Sequence, residues 1–124
     1  MRYTKWPFKI NDAGNEQMLA MLGNVAGILK VECGKAGVDQ GALVLEDFGR
    51  TLDQQAWGDE GGWYVSYRKS AFYDGNQKAA SAAEAAEQRF FALFPNPRGK
   101  DRKVEDDGRT VTLAVATDYF SIGD

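Results

Sequence analysis

Histidine is absent from this chain, and cysteine occurs once, at Cys33. Histidine is the usual general base, the base of serine and cysteine triads and the commonest zinc ligand, so sites that depend on it are excluded. A single thiol cannot form an intrachain disulfide, a thiolate zinc site or an iron–sulfur cluster. Cys33 lies in an apolar helical run, where we expect a small buried side chain rather than a reactive thiol. We therefore expect neither a metal nor a cofactor.

Phosphate-binding and calcium-binding loops are also missing. The segment GDEGG at 58–62 has its glycines at the wrong spacing for a P-loop, and its acids would repel phosphate. The run EDDG at 105–108 lacks the alternating ligands and distal glutamate of an EF-hand. Asp59 and Glu60 form an acidic pair set between tryptophans, but the flanking glycines predict an exposed loop in which neither carboxyl is desolvated. We predict that the protein is not an enzyme.

The charges do not favour a polyanionic or lipid partner. The formal net charge is −3, from 15 basic and 18 acidic residues that are interspersed. The most apolar stretch, at 17–34, is interrupted by Asn24 and Lys30 and is shorter than the roughly 20 apolar residues that span a bilayer. The first residues lack the apolar core and small-residue cleavage site of a secretory signal. We expect a cytoplasmic protein that does not associate with membranes.

Three elements are predicted in the first half of the chain. Alternating polarity over residues 4–10 predicts a strand, and Pro7 places it at a sheet edge. Helical spacing of apolar residues predicts a core helix over 17–34, ended by Gly34. A second helix is predicted from about residue 39, because five apolar residues recur at helical spacing opposite a charged stripe. These residues are Val44, Leu45, Phe48, Leu52 and Ala56.

The second half predicts a strand, a helix and a hairpin. From Trp63 onward the odd-numbered residues form one face of a strand, which predicts that this face is directed at the core. The residues on it are Trp63, Val65, Tyr67, Ala71 and Tyr73. The pattern from Asp74 to Gln77 predicts a capping box for an alanine-rich helix that ends near Phe94. A two-residue turn at Asp107 and Gly108 predicts that Glu105 pairs with Thr110 and Val104 with Val111.

Together these elements predict an α+β fold. We expect a mainly antiparallel sheet of about four to five strands, covered by two to three helices and ending in a β-hairpin. Residues 1–118 are expected to form one globular domain and 119–124 a short C-terminal extension. The alternating Thr and Ala face of the last strand leaves open whether a second subunit binds there.

Residues 57–75 are rich in aromatic side chains and give the leading hypothesis for function. Tyr64, Arg68 and Phe72 would line up along the even face if the strand were unbroken, whereas a turn at 68–70 would scatter them and a helix could cover them. We expect a non-catalytic protein-binding or inhibitory module that recognises another protein. Its anchors would be Trp57, Tyr64, Arg68 and Phe72, with Asp59 and Glu60 as an acidic rim.

Single-stranded nucleic acid is the alternative partner. A basic run follows the alanine-rich helix, and Arg68 and Lys69 could join it, with Tyr64 and Phe72 as stacking platforms. The run consists of Arg98, Lys100, Arg102 and Lys103. Asp101 and the acids at 105–107 nearly cancel this charge, which makes phosphate binding the second choice.

Overall fold

The computed structural model describes residues 20, 22–51, 62–94 and 99–116. Within these residues, two helices and four strands follow one another in the order α1 (Val25–Ala36), β1 (Leu43–Thr51), β2 (Gly62–Lys69), α2 (Gln77–Ala92), β3 (Gly99–Glu105) and β4 (Thr110–Ala116). A 3₁₀ turn at Ala71–Tyr73 precedes α2, and a short turn of left-handed residues at Asp106–Gly108 precedes β4. The predicted strand at 4–10 and the extension at 119–124 lie outside the described residues.

The strands form one antiparallel sheet with the order β1-β2-β4-β3. This confirms the predicted α+β class with an antiparallel sheet and a final hairpin. β2 and β4 lie in the middle of the described sheet, which explains their continuous runs of buried residues. No described helix is long and apolar enough to cross a membrane.

Both helices pack on one face of the sheet. This face carries Trp63, Val65 and Tyr67, as predicted, opposite Val115, Leu113 and Val111 of β4. All six side chains are at most 2% exposed. The inner side of α2 begins with Ala79, Ala82, Ala83 and Ala86 and ends with Phe90, all buried. Small side chains let α2 approach α1 closely.

The other face of the sheet is partly buried too. Tyr64 is 6% exposed, Ala114 0% and Ala116 3%, whereas Arg68 at the end of β2 is exposed. The third predicted helix, α2, does not cover Tyr64, because it packs on the opposite face with Tyr67. β2 ends at Lys69, so Ala71 and Tyr73 leave the odd face and lie in a 3₁₀ turn.

The helix predicted from residue 39 is wrong, because Leu43–Thr51 forms strand β1. A β-bulge interrupts the pairing of β1 with β2 between Leu45 and Asp47. The bulge adds one residue, so Leu45 and Phe48 are three apart in sequence yet both pack against the core. A bulged strand can therefore imitate helical spacing. Leu52 and Ala56 of the predicted stripe lie outside the described residues.

The helix ends also differ from the prediction. α1 continues through Gly34 to Ala36, and its C-cap is Gly37, whose backbone is left-handed, with φ 75° and ψ 31°. The Gly37 N–H donates to the carbonyls of Cys33 and Gly34, which a residue with a Cβ atom would do only under strain. The N-cap of α2 is Asn76, not Asp74, because the Asn76 Oδ1 accepts from the N–H of Lys78 at 2.9 Å.

The hairpin register is confirmed. Glu105 pairs with Thr110 and Val104 with Val111. Asp107 has φ 53° and ψ 36°, and Gly108 has φ 90°, which are the left-handed angles that a type I′ turn requires. The Arg109 N–H donates to the Asp106 carbonyl at 3.0 Å and closes the turn.

The core predicts a large effect of one truncation. Phe90 is 0% exposed and meets Phe91 and Phe94 edge to face at 5.3 Å between ring centroids. Phe90→Ala is expected to lower the free energy of unfolding by about 3–5 kcal/mol, measured by urea titration followed by circular dichroism. Val31→Ala, at a side chain 49% exposed on α1, is the control and should change it by no more than about 0.5 kcal/mol. A loss below about 1 kcal/mol for Phe90→Ala would contradict this packing.

Candidate functional site

Three described connections meet at one end of the sheet, which we call the loop end. They are residues 37–42 between α1 and β1, residues 70–76 between β2 and α2, and the hairpin turn at 106–109. The strand pairing fixes this arrangement, since Leu43 pairs with Lys69 and Arg68 with Thr110. The opposite end of the sheet, where Thr51 pairs with Gly62 and Gly99 with Ala116, adjoins the gaps in the described residues.

Ser70 ties two of these connections together. Its N–H donates to the Ala42 carbonyl at 2.9 Å, and its hydroxyl donates to the Gly41 carbonyl at 2.6 Å. The same Oγ accepts from the N–H of Phe72 at 3.3 Å and so caps the 3₁₀ turn at Ala71–Tyr73. One side chain thus fixes both the start of β1 and the turn that carries Phe72.

Arg109 ties the hairpin to the same turn. Its Nη1 donates to the carbonyls of Lys69 at 2.9 Å and Ser70 at 3.1 Å, and its Nη2 donates to Asp74 Oδ2 at 2.7 Å. Its own carbonyl accepts from the Lys69 N–H at 2.8 Å. The hydrogen bond to the Asp74 carboxylate raises the pKa of Arg109 above its ordinary value. A planar guanidinium can donate to the two carbonyls and the carboxylate at once, which an ammonium group cannot do in the same geometry.

An open groove of about 570 Å³ lies beside these bonds. We call it the Arg68 groove and define it by its described lining residues Val44, Glu46, Arg68, Lys69, Ser70, Ala71 and Arg109. Arg68 Nη1 lies 3.7 Å from Glu46 Oε1, and both side chains are largely open to solvent, at 61% and 39% exposure. Val44 is 46% exposed and supplies apolar surface. The groove therefore combines cations with an apolar side chain.

Phe72 lies next to the groove, because it follows Ala71 in the 3₁₀ turn. It is 59% exposed, the most exposed large hydrophobic side chain among the described residues. Its ring lies beside Gly41, where Cδ2 is 3.9 Å from the position a Cβ atom would take. Phe72 is thus an exposed ring on a hydrogen-bonded backbone.

The structure separates the residues predicted to bind a protein partner. Arg68 and Phe72 both lie at the loop end, although the end of β2 between them breaks the face that the sequence would align. Tyr64 is buried further along β2, and its hydroxyl donates to Asp47 Oδ2 at 2.7 Å. Trp57, Asp59 and Glu60 lie outside the described residues.

The basic residues of the nucleic-acid alternative are also divided. Arg68 and Lys69 line the groove, but β3, with the other described cations, is separated from β2 by β4. On β3, the Lys100 Nζ lies 5.3 Å from the ring centroid of Phe91, and Arg102 Nε lies 2.8 Å from Glu87 Oε1. Lys103 is also on β3, and Arg98 lies outside the described residues.

Several residues of the loop end escaped the sequence analysis as site residues. Val44 falls in the predicted second helix and Arg109 in the predicted hairpin, whereas Ser70 falls in a segment for which both a continuing strand and a turn at 68–70 are open. The hairpin register was a partial signal for Arg109, because it placed this residue beside the turn. Its contact with Lys69, 40 residues earlier, depends on the pairing of β2 with β4, which local patterns do not encode.

A second polar network joins the sheet to α2. The Tyr67 hydroxyl donates to Glu87 Oε2, and Arg102 donates to both oxygens of the same carboxylate. Burial, followed by the bond to Glu87, raises the pKa of Tyr67 far above its ordinary value. Burial and Asp47 do the same to Tyr64. Both phenols therefore stabilise the fold as neutral hydrogen-bond donors.

Comparison of the chain with protein-family models, with curated proteins and with solved structures gives no match.

The two tyrosines predict a loss of stability at alkaline pH. The pKa values of Tyr64 and Tyr67 are raised in the folded state. Their contribution to the free energy of unfolding is therefore complete below the unfolded pKa of about 10 and declines as the pH rises above it. Tyr67→Phe is expected to cost about 1 kcal/mol at pH 7 but to flatten this decline, measured by urea titration from pH 8 to 11. Tyr64→Phe tests the second phenol in the same way. If the free energy of unfolding declined with pH in both variants as it does in the wild type, the stabilising role of these phenols would be contradicted.

Proposed function

We propose that this protein is a non-catalytic module that recognises another protein through its loop end. Phe72 is the apolar anchor, and the Arg68 groove beside it supplies polar contacts. The observation that carries the proposal is the 59% exposure of the Phe72 ring on a backbone held by Ser70. Leaving a large ring in water forgoes the free energy gained by burying it, which a binding partner can recover.

The rigidity of the turn supports this proposal. Binding energy is lost when a side chain or loop must be ordered, so a preformed turn binds with a smaller entropic cost. The Phe72 backbone is held from two directions, by Ser70 on the side of β1 and by Arg109 through the Ser70 carbonyl. Arg68 and Val44 lie in the adjoining groove and can surround a central contact, an arrangement found in protein interfaces.

Single-stranded nucleic acid binding remains the alternative proposal. It draws on Arg68 and Lys69 in the groove, but the described basic residues of β3 lie across the sheet and two of them already contact Glu87 or Phe91. A backbone-tracking site requires a continuous positive surface. We therefore prefer the protein-binding proposal. As part of it we propose a cytoplasmic location, which the sequence predicts.

A capture experiment with matched variants tests the proposal. Tagged wild-type protein, Phe72→Ala and Val31→Ala are incubated with a lysate of the cells that express the protein, with and without nuclease. Both variants remove an exposed hydrophobic side chain, but Val31 lies on α1, away from the groove. We expect a stoichiometric protein partner that survives nuclease, binds Val31→Ala normally and binds Phe72→Ala about tenfold more weakly.

Two results would contradict the proposal. In one, the captured material disappears on nuclease treatment and its binding falls steeply between about 50 and 200 mM salt, as for phosphate contacts. In the other, Phe72→Ala and Val31→Ala bind alike. Thermal unfolding of both variants checks that the fold is intact, which we expect because both side chains are exposed.

A further inference from the structure

The Arg68 groove carries positive charge in a protein of formal net charge −3. Of its cations, Arg109 is already paired with Asp74 at 2.7 Å. The remaining two cations, Arg68 and Lys69, are balanced by one lining carboxylate, that of Glu46. The groove is locally basic while the chain is acidic overall, so it favours a ligand of the opposite charge.

The ion pair between Arg68 and Glu46 is easily exchanged. Its atoms are 3.7 Å apart, longer than the 2.7–2.9 Å of a strong charge-assisted hydrogen bond. Both side chains are well exposed, and solvent-exposed pairs contribute little to stability. A carboxylate from outside that approaches Arg68 in a bidentate manner would therefore gain more than Glu46 loses.

The neighbours of this pair indicate the rest of the ligand. Val44 is directly opposite Arg68 in the sheet and 46% exposed, so an apolar side chain can pack there. The Lys69 Nζ lies 4.8 Å from the ring centroid of Tyr73. Lys69 and Tyr73 also line two further hollows, of about 290 and 330 Å³, the first with Asp74 and Asp107 and the second with Glu84 and Glu87. The Arg68 groove, with Glu46 as its one described lining carboxylate, is therefore the more basic side of Lys69. A ligand that reaches both Arg68 and Lys69 meets two cations in this groove, so two negative groups can pair there.

We infer that the Arg68 groove binds an acidic segment of the partner protein. One carboxylate displaces Glu46 from the Arg68 guanidinium, a second pairs with the Lys69 ammonium, and an apolar side chain packs on Val44. Glu46 is then an internal competitor of the ligand. This inference rests on the proposed function, since the acidic segment belongs to the protein anchored by Phe72.

Peptide titration tests the inference. The probe is a blocked peptide of alternating aspartate and leucine, and the control peptide has asparagine for every aspartate. Amide resonances of the ¹⁵N-labelled protein are followed at 150 mM salt. We expect the acidic peptide to shift resonances at 44–46 and 68–71, and the asparagine peptide to bind at least tenfold more weakly.

Charge variants give opposite changes that a merely structural role would not produce. Arg68→Gln is expected to weaken binding of the acidic peptide about fivefold. Glu46→Gln should strengthen binding about threefold, because the competing carboxylate is removed. Lys100→Gln, on β3 across the sheet, is the control for the loss of one positive charge and should leave affinity unchanged.

Three results would overturn the inference. Glu46→Gln could fail to strengthen binding, Lys100→Gln could weaken it as much as Arg68→Gln, or oligothymidylate could shift the same resonances while the acidic peptide does not. If one of these results is found and the captured protein still requires Phe72 for binding, the acidic ligand is refuted but the protein-binding function is not. Normal peptide binding without a Phe72-dependent partner refutes the function instead.

Discussion

The loop end depends on the hydrogen bonds of Arg109. Its guanidinium joins the carbonyls of Lys69 and Ser70 to the carboxylate of Asp74, where the chain leaves β2 and turns towards α2. The Ser70 carbonyl also accepts from the Tyr73 N–H at 2.9 Å, so Arg109 adds a second donor to the carbonyl that closes the 3₁₀ turn. Because the donor comes from the hairpin turn just before β4, the direction of the turn at 70–76 is tied to the sheet. The position of Phe72 follows from this constraint.

The burial of β2 explains why the recognition surface lies at a strand end. Residues 62–67 are buried without interruption, with Trp63 and Tyr67 under the helices and Tyr64 on the other face. Arg68 is the first exposed residue of the strand. Neither face of β2 therefore offers a broad aromatic platform, and the available surface begins where the strand ends. Groove and anchor both lie at that transition.

Much of the architecture could be predicted from local patterns. Alternation identified the core side of β2 at Trp63, Val65 and Tyr67, and the capping pattern with the alanine-rich run identified α2. The turn residues Asp107 and Gly108 gave the hairpin register, because few residues tolerate left-handed backbone angles. These features depend on residues close together in sequence.

The rest depended on distant contacts or on irregular backbone. β1 was mistaken for a helix because the bulge after Leu45 changes the spacing of its apolar residues. Parity predicted only that Tyr64 lies on the face opposite Trp63 and Tyr67. It left open whether a helix covers that face, which α2 does not. The groove is formed by Val44, Arg68 and Arg109, which lie on three strands or at their ends. It can therefore be recognised only when the strand order is known. Tertiary pairing, rather than local pattern, creates the candidate site.

Hydrogen exchange in Arg109→Gln tests the central claim most directly. The amide of Tyr73, which donates to the Ser70 carbonyl at 2.9 Å, reports on the turn, and the amide of Val65 reports on the central sheet. If Arg109 holds the loop end, exchange at Phe72 and Tyr73 should accelerate at least tenfold while Val65 keeps its wild-type rate. Unchanged exchange at Phe72 and Tyr73, or equal acceleration at Val65, would contradict the account.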